Sequence, residues 1–138
     1  MNWLFWALLS AVFAAFTAIF AKLGVEGIDA NLATAIRTSV VVVFTWLVFL
    51  LVSPAGSTAG LNSRTWFFLG ASGVATALSW LCYFHALHIG EVSRVAPVDK
   101  LSVALVILMG ATFLGERLTW GQGVGGLLIV GGVILAAR

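Results

Sequence analysis

The spacing of charge along the chain limits the fold before any motif is considered. No charged residue stands between Trp3 and Ala21, and four further stretches of similar length hold few charges or none, so that the candidate segments run over about 3–22, 31–52, 65–89, 93–114 and 119–137. A helix needs roughly 20 apolar residues to cross about 30 Å of hydrocarbon, and every one of these stretches is long enough. With 7 Lys+Arg and 5 Asp+Glu in 138 residues, and a mean hydropathy of +1.13, the chain lacks the polar groups to clothe a soluble domain. A lipid-exposed backbone must satisfy its own hydrogen bonds, and five isolated spans cannot close a barrel of strands. The expected fold class is therefore an all-α integral membrane protein with five transmembrane helices. The first stretch is rich in Trp and lacks a basic leader and a cleavage signal, so it reads as a retained helix and not a signal peptide.

The same sparse charge excludes several function classes. No Lys/Arg cluster is present to displace counterions from phosphates, so nucleic acid is not an expected partner. Cys82 is the only cysteine, which gives neither a disulfide framework nor metal-ligand spacing, and it reads as a small buried hydrophobe. No GxSxG elbow, HExxH helix or phosphate loop occurs. Gly121, Gly123 and Gly126 match GxGxxG, but inside an apolar helix with no preceding strand. Neither an enzymatic activity nor a cofactor is expected.

Connections are short, which makes sequential helices antiparallel neighbours. Pro54, Gly56 and Gly60 mark the one longer loop, Ser53 to Arg64. Gly115 suits the position after a helix, and Thr119 with Gln122 three residues later forms a capping box for the fifth helix.

Residues about 100° apart on a helix sort into faces. In the third segment Ser72, Thr76, Ser79 and Tyr83 lie in one stripe that Ala86 and Gly90 continue, while His85 points elsewhere and reads as a packing histidine. Such a hydroxyl stripe suggests a protein-lined cleft; the alternative is that Ser and Thr bond back to their own helix. In the first, Trp3, Trp6, Ser10, Ala14, Thr17 and Ala21 share the smaller face, expected to meet protein, opposite Leu9, Val12, Phe16 and Phe20. Thr34, Arg37, Val41 and Thr45 lie together in the second. Arg37 is a permanent cation two turns inside the boundary, either a site residue or an anchor that snorkels to headgroups.

The fourth segment carries Ala96-Pro97-Val98-Asp99-Lys100 near its start. Pro97 is tolerable in a first helical turn, and Asp99 behind it suits the positive end of the helix dipole. Lys100 opposes that dipole and calls for an anionic partner: a nearby carboxylate, a lipid phosphate or a bound anion. Asp99 is the only carboxylate inside a span, so any proton coupling is expected to run through it. Gly121, Gly125 and Gly132 share a face of the fifth segment and permit close helix contact, within one protomer or between two.

Five spans place the termini on opposite sides. Arg64 and Arg117 fall on the N-terminal side, against Lys22, Arg94 and Arg138 on the other; adding Arg37 and Lys100 to the latter favours an N-terminus outside the cytoplasm. The near balance of the strict count allows both insertions. A five-helix protomer is small for a gated path, and an antiparallel homodimer would supply an inverted repeat from one sequence.

Two stretches carry a family resemblance: Phe113-Leu114-Gly115-Glu116-Arg117-Leu118-Thr119 followed by Gln122, Gly126 and Leu128-Ile129, and Ala86-Leu87 through Gly90 to Ser93 and Pro97. With these, residues 1–138 resemble a single EamA-type domain of the drug/metabolite transporter superfamily, in its short five-helix bacterial and archaeal group. The resemblance implies half of a ten-helix inverted-repeat transporter, paired with a second copy around a cavity lined by the first, third and fourth helices. The chain lacks the first-helix carboxylate of the proton-coupled four-helix relatives, so their coupling is not implied here. The expected function is secondary transport of a small organic metabolite or drug-like compound by alternating access, by a multi-pass protein of the cytoplasmic membrane. Ser10, Thr17, Ser72, Thr76, Ser79 and Tyr83 would line the path, Trp80 would offer an aromatic wall, Arg37 with Lys100 would attract an anionic group, and Asp99 joins them as a binding candidate. Pro97 and Gly90 would let the turn between the third and fourth helices act as a gate. Two alternatives stand beside this reading: a flippase for lipid or hydrophobic compounds, whose cleft opens sideways, and a non-transport membrane subunit whose glycine-rich fifth helix docks a partner.

Overall fold

The computed structural model describes residues 2–53 and 62–138, so Pro54, Gly56 and Gly60 of the expected loop lie outside the described residues. The described residues form helices and no strand: α1 Trp3–Val25, α2 Ala30–Val52, α3 Ser63–Ile89, α4 Val92–Asp99, α5 Leu101–Phe113 and α6 Trp120–Ala136. α1, α2, α3 and the stretch Val92–Phe113 are long and apolar enough to cross a membrane. α6 has 17 residues. It is therefore about 25 Å long, a small mismatch with the hydrocarbon thickness that local bilayer thinning accommodates. Trp3, Phe113 and Trp120 are 77%, 80% and 92% exposed. Apolar surface of that kind costs roughly 25 cal/mol per Å² in water and nothing in hydrocarbon, which fits a chain dissolved in a bilayer.

The helix ends follow local chemistry. Gly27, with φ +77°, turns the chain between α1 and α2, and Asp29 then caps α2 by accepting from the amides of Asn31 at 2.9 Å and Leu32 at 3.0 Å. Asn62 caps α3 in the same way, its Oδ1 2.8 Å from the amide of Thr65. After α5, Gly115 has φ +67°, and the Gly110 carbonyl accepts from both Leu114 and Glu116 at 3.1 Å. The expected capping box forms: the Gln122 amide donates to Thr119 Oγ1 at 3.3 Å and the Thr119 amide donates to Gln122 Oε1 at 2.9 Å.

Two compact units are present, Leu23–His88 and Met1–Lys22 with Ile89–Arg138. In the first of these the core gathers where the start of α2 faces the end of α3: Val25, Ala30, Ala33, Thr34, Phe84 and Leu87 are buried. Thr34 meets its own need by donating to the Ala30 carbonyl at 2.8 Å. In the second unit α4, α5 and α6 pack on one another. A Cβ built on Gly126 would lie 3.6 Å from Ile107 Cδ1, so this glycine receives an α5 side chain. Gly121, Gly125 and Gly132 have nothing within 4 Å of such an atom. On the smaller face of α1 Ala21 is buried and Thr17 half-buried, but Trp3, Trp6, Ser10 and Ala14 are exposed; opposite, Leu9 is half-buried and Val12, Phe16 and Phe20 are exposed.

The fourth segment departs from expectation. Helix begins at Val92, one residue early, and Pro97 is the sixth residue of α4, in its second turn and not its first. Proline has no amide to continue the ladder and its ring crowds the carbonyl one turn back. The chain answers by tightening, with Lys100 N–H donating to Pro97 O and Val103 N–H to Lys100 O, each at 3.0 Å and each three residues apart. One continuous helix over 93–114 is thus replaced by α4 and α5, joined at Lys100 with φ −72° and ψ −6°. Asp99 ends α4 instead of sitting behind its positive end. Cys82 is also corrected: it is exposed, as is His85, because both fall on the α3 surface away from Phe84 and Leu87.

Candidate functional site

Arg37 is the eighth residue of α2, about 10 Å of helix rise beyond Ala30. Its guanidinium carbon lies 4.0 Å from the centroid of the Trp80 ring and 5.6 Å from that of Phe84. Trp80 and Phe84 are one turn apart on α3, so one face of that helix presents two rings to a single cation. Tyr83 is half-buried and lies within electrostatic reach of the guanidinium. A cation over aromatic faces in a partly desolvated place gains about 1–2 kcal/mol, but its charge stays uncompensated. Among the described residues, ion pairs join Arg94 to Glu91 at 3.3 Å and Lys100 to Asp99 at 3.1 Å, and none reaches Arg37. The structure thereby brings together Arg37, Trp80 and Tyr83 of the expected site and adds Phe84. The signal for Phe84 was present in the sequence as an aromatic at i+4 from Trp80.

The hydroxyl stripe of α3 divides. Thr76 donates to the Ser72 carbonyl at 2.8 Å, so this side chain bonds back to its own helix. Ser72 and Ser79 are exposed and make no side-chain hydrogen bond among the described residues. The stripe borders the packed face formed by Trp80, Phe84 and Leu87 without being covered by it.

Beside the α2–α3 contact lies an open groove of about 460 Å³, lined by Asn31, Thr34, Thr38 and Ser39 with Val42 and Leu81 among its apolar walls. Thr38 donates to Thr34 O at 2.8 Å and Ser39 to Ala35 O at 3.0 Å. Their hydroxyl protons are thus committed, and the oxygens remain as acceptors. Asn31, Thr34 and Thr38 recur at helical spacing, a signal that the stripe through Arg37 and Thr45 had obscured.

Asp99 and Lys100 belong to the other unit. Lys100 Nζ donates to Asp99 Oδ2 at 3.1 Å, with side chains 56% and 36% exposed respectively. The anionic partner that Lys100 requires is its own neighbour, and the pair is close to neutral. Ser10 and Thr17 also lie in that unit, the first exposed and the second half-buried.

Known proteins are similar to this chain in sequence. The EamA-like transporter family matches residues 1–138. An uncharacterized transporter from the cobO 3′ region of a Sinorhizobium species is 46% identical over 136 residues, covering 99% of this chain and 96% of that protein. The uncharacterized transporter YxxF of Bacillus subtilis is 26% identical over 133 residues, and there the match takes in 94% of this chain but 40% of the relative. An uncharacterized protein of Methanocaldococcus jannaschii is 34% identical over 64 residues, 46% of this chain and 47% of its own. No solved structure matches the chain.

Proposed function

This chain belongs to the EamA-like transporter family, and from that premise we propose that it moves a small organic solute across the cytoplasmic membrane by alternating access, as an antiparallel homodimer with no enzymatic step. The observation that carries the reading is the open hydroxyl stripe of α3. Ser72 and Ser79 are exposed within a membrane-spanning helix and lack a partner among the described residues. A hydroxyl left unpaired in hydrocarbon costs a few kcal/mol, so these groups call for a covering surface or a water-filled path. A second copy inserted in the opposite sense supplies both, because it sets the same polar face across a shared cleft.

Length supports the pairing. The match takes in 40% of the Bacillus transporter, which leaves more than half of that protein for a second unit of this size. In the α2–α3 unit the path is lined by Ser72, Thr76, Ser79 and Tyr83, with the Arg37 and Trp80 contact on its wall. A reporter placed after Arg138 tests the arrangement. It is expected on both sides of the membrane in comparable amounts; detection on one side alone overturns the antiparallel homodimer.

A further inference from the structure

Arg37, Asp99 and Lys100 stand about two turns or more inside the ends of their spans, and the structure treats them differently. Asp99 and Lys100 neutralise each other at 3.1 Å. Arg37 has aromatic rings on hand and no carboxylate among the described residues. Of these three, Arg37 is the one whose positive charge has no carboxylate beside it, and it is fixed at a defined place. An uncompensated charge at this depth is costly unless an anion visits it.

The position of the guanidinium argues that it is not simply reaching outward for water. The contacts join the first half of α2 to the second half of α3, so the start of α2 and the end of α3 share a membrane boundary. Phe84 lies five residues from Ile89 and Trp80 nine, about 7 and 13 Å of rise respectively. An arginine side chain that snorkels to that boundary would come to rest by Phe84. The guanidinium carbon is instead nearer the deeper ring, 4.0 Å from Trp80 against 5.6 Å from Phe84. The guanidinium carries its N–H donors in a planar fork suited to two oxygens of one anion.

We propose that Arg37, seated on Trp80 and Phe84, is an oxyanion subsite that takes the carboxylate or phosphate group of an organic anion, and that Lys100 is not. The assignment to a transported solute rests on the transport reading above, whereas the binding itself does not. Lys100 is excluded because its charge is already matched by Asp99.

The test is a titration of the purified full-length protein in maltoside micelles with benzoate, phenyl phosphate and neutral benzamide, read by tryptophan emission. Both anions are expected to give a saturable change, with benzamide weaker by about tenfold or more, since only the anions form charge-assisted hydrogen bonds. Arg37→Gln is expected to abolish the difference between benzoate and benzamide, Arg37→Lys to shrink it, and Lys100→Met to leave it in place. Equal response of the unaltered protein to benzoate and benzamide overturns the subsite without recourse to any variant. A folded Arg37→Gln protein that still prefers the anions also overturns it. Phosphatidylglycerol added to the micelles separates the two sources of oxyanion: an Arg37-dependent response to the lipid with none to the soluble anions gives the subsite to a headgroup and removes the solute. Binding is read without transport, so loss of the subsite leaves the transport reading standing. A chain that binds anions yet carries no solute in vesicles sinks the transport reading alone.

Discussion

The Lys22 ammonium donates to the backbone carbonyl of Gly90 at 3.0 Å, tying the last turn of α1 to the residue that follows α3. Carbonyls at a helix C-terminus have no intrahelical partner, and a cation there also suits the negative end of the dipole. Replacing Lys22 with Met leaves this carbonyl without its donor. The expected cost is about 1 kcal/mol, since the contact is only partly buried, and Lys22→Arg should recover most of it. Thermal unfolding in detergent measures the change; an unaltered midpoint for Lys22→Met would show that the contact contributes nothing.

At the Lys100 junction the expectation is functional more than structural. The Asp99 to Lys100 pair lies inside a span, so removing one partner leaves the other charge unmatched there. Lys100→Met frees the Asp99 carboxylate of its partner and should on that account slow transport, without touching anion binding, in a dimer that still assembles. For Asp99→Asn the informative quantity is the pH profile of transport, which should flatten if this carboxylate carries the coupled proton. A full pH dependence in Asp99→Asn removes it as the coupling group.

Two glycines flanking the end of α5 should respond to Ala for different reasons. At Gly115 the backbone has φ +67°, a region that a Cβ makes costly by about 1 kcal/mol. At Gly110 the backbone is helical, but a Cβ would lie 2.9 Å from Glu116 Oε2 and would push that carboxylate aside. Shortening Glu116 to Ala should therefore rescue Gly110→Ala and leave Gly115→Ala unrescued. Urea or thermal denaturation of the four proteins checks this, and equal rescue of both would refute the steric account.

Thr119→Ala removes one half of the α6 capping box, whose oxygen accepts from the Gln122 amide at 3.3 Å. A loss of about 1 kcal/mol is expected, with Thr119→Ser near neutral. Amide exchange in the first turn of α6 should rise in Thr119→Ala; identical protection in both variants would discount the cap.

How far the site was legible depends on whether its contacts follow one helix or cross between two. The capping box and the glycine after α5 lie within a few residues and could be read directly from Gly115, Thr119 and Gln122. The hydroxyl stripe of α3 could be read from helical periodicity, yet its hydrogen bonds could not. Thr76 bonds back to Ser72 while Ser72 and Ser79 stay open, a choice set by rotamers that spacing does not encode. The break at Lys100 was hidden for a related reason. Pro97 was visible, but its effect depends on which turn it occupies, and it stands in the second turn of α4.

By itself the sequence determined the solvent and the fold class. A run of about twenty residues without charge has few stable arrangements other than a spanning helix, because hydrocarbon offers no partner to an unpaired backbone. It also determined that Arg37, Asp99 and Lys100 lie inside spans. Only the tertiary structure decided which of these charges is matched. Lys100 turned to its neighbour Asp99, a contact that adjacency permits but does not require. Arg37 met Trp80 and Phe84, more than forty residues along the chain and on another helix. That meeting depends on the depth at which α2 and α3 face each other. Charge position along a chain is local information; charge compensation is a property of packing.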